Sequence, residues 1–171
     1  KIGVLATRGH ELCREMWAPL AEYLSNSISD KTFVIVALGY NQIIDFVKNG
    51  KIDFVLTNSS FYVELEHSYG VNRIATLKNG CVKGVCTRYG GVVFRKADRE
   101  DMKRLDDLRG KTFMAVDEMS LGGWQAAWRE LKEKGVDPYH DFKELRFGGT
   151  QDAVIYAVRD GIVDAGTVRT N

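Results

Sequence analysis

Slid along itself by 111 positions without a gap, this chain meets its own plan a second time. Residues 1–57 and 112–168 then run in step: Trp17 falls on Trp128, Leu20 on Leu131, Glu22 on Glu133 and Ile44 on Ile155. The agreement is closest where Val47, Gly50 and Asp53 fall on Val158, Gly161 and Asp164. Each copy reads as a helix, a glycine stop and then a strand. Two similar α/β lobes in one chain imply a cleft between them, and such clefts are where small ligands bind. The pattern therefore points to a binding module, with lobe 1 over residues 1–89 and lobe 2 over residues 90–171.

The coarse element reading follows from apolar periodicity. A strand at 2–6 leads through Thr7-Arg8-Gly9-His10 into a helix whose apolar stripe is Leu12, Met16, Leu20 and Leu24, with Pro19 inside it. A β-rich run at 32–38 follows. Asn41 is expected to cap a short helix carrying Ile43, Ile44 and Val47, which stops at Gly50. Strands are expected at 52–56, 71–77 and 90–95, with a helix after Ser60 and a cysteine-bearing hairpin before residue 90. The second copy then gives a strand at 112–116, a helix from Gly122 ending at Gly135, a strand at 144–147, a helix at 152–159 and a strand at 163–168. This alternation predicts an α/β fold with a mostly parallel sheet flanked by helices in each lobe. The first copy is followed by a helix and a crossover, the second only by Arg169-Thr170-Asn171. The second lobe is accordingly read as truncated, without its return to lobe 1.

Composition excludes several classes of function. A net charge of +1, with basic and acidic residues interleaved, gives no footprint for nucleic acid. No apolar run reaches the length of a membrane span, and Lys1-Ile2-Gly3-Val4-Leu5-Ala6 reads as a core strand instead of a signal peptide. The three histidines, His10, His67 and His140, are scattered, and no serine lies in a nucleophile-elbow pattern. Gly122-Gly123 lacks the lysine and spacing of a P-loop. Asp117 and Glu118, adjacent at a strand end, point apart and read as solvated or capping carboxylates. No catalytic residue, metal site or cofactor is expected. Cys81 and Cys86 lack the spacing and histidines of a zinc site; they pair in an oxidising compartment and stay reduced in another. Cys13, among apolar helix positions, reads as a buried inert thiol.

Ligands of open parallel sheets sit beyond the carboxyl ends of the strands, where helix N-termini point. The residues there are Arg8, Gly9 and His10; Gly39, Tyr40 and Asn41; and Asn58, Ser59 and Ser60. The second copy adds Ser120, Leu121, Gly122 and Gly123; Gly149, Thr150, Gln151 and Asp152; and Arg169 with Thr170. Backbone N–H groups, glycines, hydroxyls and two arginines together suit an anion. Trp124, directly after the glycine pair, is the aromatic expected near a ligand. Taken singly, Asn41, Ser59, Ser120 and Asp152 also read as plain helix caps.

These residues carry a resemblance. Ile2-Gly3-Val4-Leu5-Ala6 with Arg8-Gly9, Trp17-Ala18-Pro19-Leu20 and Asp53-Phe54-Val55-Leu56-Thr57-Asn58 with Tyr62 resemble phosphonate-binding proteins of the type 2 periplasmic binding fold. So do Ala75-Thr76-Leu77, Asp107-Leu108-Arg109-Gly110-Lys111, Gly122-Gly123 and Asp164-Ala165-Gly166 with Val168-Arg169-Thr170. More narrowly, the set is similar to the extracytoplasmic sensor domain of tetrathionate-sensor-type histidine kinases. The resemblance implies a periplasmic domain of a membrane-anchored parent that closes on a small anion and signals to kinase modules across the membrane. A homodimer is compatible with it. For an exported domain it also implies a Cys81–Cys86 disulfide. The ligand set it suggests is Arg8, Gly9, Tyr40, Asn58, Ser59, Ser120, Gly122, Gly123, Trp124, Thr150, Gln151 and Arg169. Two positions depart from the family's pattern: Leu121 precedes the glycine pair where an aromatic is usual, and Ser59-Ser60 replaces Pro-Gly. A sulfur oxoanion, a phosphonate and a carboxylate all remain open as ligands. The rival readings are a free solute-binding protein serving a transporter and an enzyme on the same fold.

Overall fold

A computed structural model describes residues 1–81, 84–86 and 88–170, and of Cys81 its backbone. The chain divides into two compact units, Lys1–Asn72 and Arg73–Asn171.

In the first unit the order is β1 (Ile2–Leu5), α1 (His10–Ser27), β2 (Ile35–Leu38), α2 (Ile43–Lys48), β3 (Phe54–Leu56) and α3 (Ser59–Tyr69). The strands form one parallel sheet in the order β2-β1-β3, with Ile2 level with Ile35 on one side and Phe54 on the other. The central strand β1 is buried along its whole length, as an unbroken apolar run requires. Its Ile2 and Val4 face Cys13, Trp17 and Leu24 of α1. The buried stripe of α1 thus runs through Cys13, Trp17, Ala21 and Leu24, and Met16 is 61% exposed. The expected stripe through Leu12, Met16, Leu20 and Leu24 is off by part of a turn. Small residues at positions 13 and 21 allow the helix to lie close on the sheet, and size patterning outweighs mean apolarity.

The second unit contains a hairpin, β4 (Asn79–Cys81) and β5 (Gly84–Cys86), then β6 (Gly91–Arg95) and a 3-10 turn at Leu105–Leu108. Next come β7 (Thr112–Ala115), a π-helical turn (Leu121–Gln125) continuing into α4 (Ala126–Glu133), and α5 (Pro138–Asp141). The unit ends with β8 (Glu144–Phe147), α6 (Gln151–Arg159) and β9 (Ala165–Arg169). The sheet order is β6-β9-β7-β8, parallel except for β6, which runs antiparallel to β9. Phe113, Ala115, Trp124, Leu131, Val136, Phe142 and Ala165 make its main core.

The echo in the sequence is an echo in topology. β8-β7-β9 repeats β2-β1-β3, and the registers agree: Ile2 meets Phe54 as Phe113 meets Ala165. One detail is repeated to the atom. Asp164 Oδ2 accepts the Thr112 N–H at 2.8 Å, while the Asp164 N–H donates to the Thr112 carbonyl at 3.0 Å. Asp53 does the same with residue 1, its Oδ2 accepting from the Lys1 nitrogen at 2.6 Å and its N–H donating to the Lys1 carbonyl at 3.0 Å. An aspartate ahead of the third strand of each copy thus fastens the start of the first.

One expectation for the segment between the copies needs correction. The run 71–77 is not a strand: its backbone forms no ladder, and Ile74 and Leu77 are 79% and 48% exposed. Its apolar residues lack a period of two and so offer no face to bury. Residues 107–110 are the end of the 3-10 turn and its exit. The hairpin belongs to the second compact unit.

Candidate functional site

In the second unit, three strand ends make one rim. After β7, the Asp117 carbonyl accepts the Ser120 N–H at 2.9 Å and its Oδ1 accepts the Met119 N–H at 2.9 Å, which reverses the chain. Burial pushes the Asp117 carboxyl up from its ordinary value. Ser120, 2% exposed, caps the following turn: its Oγ accepts the Gly123 N–H at 3.1 Å. The Ser120 carbonyl then accepts from Gln125 and the Leu121 carbonyl from Ala126, bonds five residues apart. Such a widened turn leaves its first amides without carbonyl partners in the helix, and they point outward along the axis.

Both glycines of that turn are demanded by contact. A Cβ on Gly122 would lie 2.7 Å from Arg169 Cβ and 2.9 Å from the Gly90 carbonyl oxygen. One on Gly123 would lie 2.5 Å from Val116 Cγ2. The π-turn is therefore pressed against the end of β9, and Arg169 starts at its edge.

After β8, the Gly148 and Gly149 amides donate to Ala115 and Val116 at 2.9 and 2.8 Å, which ties this loop to the end of β7. Gly149 has φ +74°, a conformation that favours glycine. Thr150 Oγ1 caps α6 by accepting from Ala153 at 3.1 Å. Gln151, 7% exposed, receives the Arg169 N–H on its Oε1 at 2.9 Å. The Arg169 guanidinium lies 5.0 Å from the centre of the Tyr89 ring. Thr170 and Gly90 exchange bonds at 2.9 Å, which closes the end of β6 onto β9. Ser120, Gly122, Gly123, Thr150, Gln151 and Arg169 all fall on this rim.

Trp124 does not present itself there. It is 1% exposed, stacked on Trp128 at 5.9 Å, and edge-on to Tyr139 and Phe147. Its indole joins the core of the second unit. It anchors the turn and is withdrawn from any ligand.

The first unit has a rim of its own. Gly9, φ +102°, leads into α1, which has no side-chain cap. Arg8, Gly9, His10 and Leu12 line an open depression of about 500 Å³ together with Glu11 and Glu15. Tyr40 is buried against Phe61, ring centres 5.9 Å apart. Asn58 caps α3 doubly, its Oδ1 accepting from Ser60 at 2.9 Å and Phe61 at 3.1 Å; Ser59 is the first helical residue. Asn41 is not the cap of α2. Gln42 holds that place, and its Oε1 accepts the Gly39 N–H at 2.9 Å and lies 3.4 Å from His10 Nε2. Sequence reasoning misses Gln42, because glutamine is a weak helix cap and its bond here is to the preceding loop. Nor did it single out Tyr89, whose partner is fixed only by β6–β9 pairing.

A cavity of about 450 Å³ in the second unit, lined by Val93, Phe94, Met102, Leu105 and Leu108, lies by Arg95 and Ala165, at the opposite end of the sheet from the rim. Among the described residues no histidine, cysteine and carboxylate cluster fits a metal, and no helix is long and apolar enough to cross a membrane. Cys13 is a free buried thiol, and burial pushes its pKa up. The expected Cys81–Cys86 disulfide involves the Cys81 side chain, which lies outside the described residues.

Comparison with known proteins places this architecture. Residues 2–171 match the family described as ABC transporter, phosphonate, periplasmic substrate-binding protein. The tetrathionate sensor histidine kinase TtrS of Salmonella typhimurium is 34% identical over 169 residues, 98% of this chain and 28% of that protein. Among solved structures, PhnD1 of Prochlorococcus marinus, in complex with methylphosphonate, superposes with a TM-score of 0.78 at 17% identity. The match covers 98% of this chain and 62% of that one. A binding protein component of an ABC phosphonate transporter from Pseudomonas aeruginosa gives 0.76 at 19% identity, over 99% and 56% of the two chains. The chain thus spans little more than a quarter of the sensor kinase and about three fifths of the binding proteins. The fold is the type 2 periplasmic binding fold, in a binding family and not a catalytic one. The chain belongs to the phosphonate-binding family of ABC-transporter periplasmic substrate-binding proteins.

Proposed function

We propose that this chain is the extracytoplasmic ligand-sensing domain of a membrane-anchored histidine kinase, and that it binds one small oxoanion. The observation that carries the anion reading is the Ser120–Gln125 turn. Its first amides face outward, both glycines are required by close contact, and Arg169 begins at its edge. Arg169 supplies charge, and the amides with Ser120, Thr150 and Gln151 supply direction. In the first unit, Arg8, Gly9, Tyr40, Asn58 and Ser59 are the proposed ligand-contacting residues. A ligand favours whichever conformation it contacts better, and that difference in affinity is the signal.

The sensor assignment rests on the 34% identity to a sensor kinase along nearly the whole chain, against 17–19% to the transporter-associated proteins. The second reading, a free binding protein that delivers its anion to a transporter, is favoured by the family's own description. The two separate in one experiment. Membrane vesicles carrying the full-length protein that contains this chain are tested for autophosphorylation with tetrathionate, sulfate or methylphosphonate. A sensor changes its phosphorylation rate with one of these anions. A full-length protein without kinase activity, or one indifferent to every anion it binds, overturns the sensor reading.

A further inference from the structure

On the rim of the second unit the side-chain oxygens of Gln151, Thr150 and Ser120 each accept a backbone amide. Gln151 is the clearest case. Its Oε1 receives the Arg169 N–H at 2.9 Å, and only the oxygen of the amide can face an N–H. The orientation of the group is thereby fixed, with its NH₂ turned away from Arg169 N and bearing two donors. Thr150 Oγ1 accepts from Ala153 at 3.1 Å and keeps its proton to give. Ser120 Oγ accepts from Gly123 at 3.1 Å. Arg169 can only donate, and so can the outward amides of the π-turn. Thr167, on the same face of β9 as Arg169, is fully buried, and its hydroxyl has no hydrogen-bond partner among the described residues.

We infer that this rim selects oxoanions that carry no proton, such as sulfate and sulfonates, over ones that keep a P–OH or C–OH at the same pH. The inference deepens the anion reading above and rests on it. A protonated oxygen set against a ring of donors loses a bond and leaves its own hydrogen without an acceptor, whereas an ionised oxygen satisfies every donor it meets. The charged residues adjoining the rim residues in sequence include Asp117 and Glu118 ahead of the π-turn, Asp152 in the first turn of α6, and Arg169 itself on β9. Asp117 Oδ1 is held by the Met119 N–H. Asp152, next to Gln151, is the group that would have to accept a ligand proton if the inference is wrong.

Calorimetric titration of this chain with sulfate, methanesulfonate and methylphosphonate, at pH values below and above the second ionisation of methylphosphonate, tests it. Sulfate and methanesulfonate should bind equally at both. Methylphosphonate should gain at least about tenfold once its last proton is gone, the scale of one unsatisfied polar group. Gln151→Glu keeps an acceptor for the Arg169 N–H but replaces two donors by an acceptor. It should melt near the unmutated chain, lose at least about tenfold in sulfate affinity, and narrow or reverse the preference between the two methylphosphonate forms. Methylphosphonate binding that is equal or tighter below its ionisation, and that disappears in Asp152→Asn, overturns the inference while leaving anion binding intact. Failure of all three anions to bind overturns the anion reading itself.

Discussion

Replacing Gly122 by alanine adds one methyl group at the tightest point of the rim. The new carbon would stand 2.7 Å from Arg169 Cβ, 2.9 Å from the Gly90 oxygen and 3.1 Å from Arg169 Cα. Comfortable carbon contacts begin near 3.5 Å, so something must move by almost an ångström. The opposing atoms belong to the ends of β6 and β9, which are fastened to each other by the Gly90–Thr170 bonds. They cannot yield separately. Overpacking of this kind costs roughly 1–3 kcal/mol, and the better helix propensity of alanine returns at most about 1 kcal/mol. A net loss of about 1–2 kcal/mol is expected in urea unfolding of the second unit. The turn should also withdraw from Arg169, weakening anion affinity by about tenfold or more, as ångström misplacements do. Gly80→Ala is the control, because a Cβ there meets nothing within 4 Å, and it should change neither quantity. If Gly122→Ala unfolds at the same urea concentration and binds the anion equally well, the close packing of the turn on Arg169 is refuted.

Asp164 offers a stability prediction with a defined pH window. Burial raises its pKa, but the Thr112 N–H and hydroxyl and the Arg99 guanidinium outweigh that and hold it at about 2. A depressed carboxylate stabilises the fold above its unfolded pKa, so the contribution should be complete above about pH 4 and lost as the pH falls toward 2. Asp164→Ala should cost about 1–2 kcal/mol at neutral pH and flatten the stability curve in that acid window; an unchanged curve counts against the clamp. For the cysteines, thiol titration of unfolded, unreduced protein purified from an oxidising compartment should find one reactive group, Cys13. Three would remove the proposed Cys81–Cys86 disulfide.

Much of the architecture was legible because periodic burial writes itself into sequence. Glycine stops at Gly50 and Gly161 and the aspartates at Asp53 and Asp164 set the two copies in register, and the parallel sheets followed from the alternation. What was not legible depends on size and on distant partners. Cys13 and Ala21 won the buried face of α1 from Met16 because small residues permit close approach, which mean apolarity does not register. The run at 71–77 has strand-forming residues but no neighbour to pair with. The π-turn, and with it the burial of Trp124, depends on Gly122 meeting Arg169 nearly fifty residues away. Capping at Ser120 could be read from local sequence, since the bond to Gly123 is local. The orientation of Gln151 could not, because its partner arrives on another strand.

The central claim is that an anion binds at this rim and that Arg169 gives the bond its strength. Calorimetry on the unmutated chain and on Arg169→Ala, using whichever of tetrathionate, sulfate or methylphosphonate the unmutated chain binds, tests it directly. Removing a charged partner from a bound, desolvated anion should cost roughly 2–5 kcal/mol of affinity, with Ser120→Ala nearer about 1 kcal/mol. The melting temperature of Arg169→Ala without ligand should stay close to that of the unmutated chain. Equal affinity in Arg169→Ala and the unmutated chain would contradict the account.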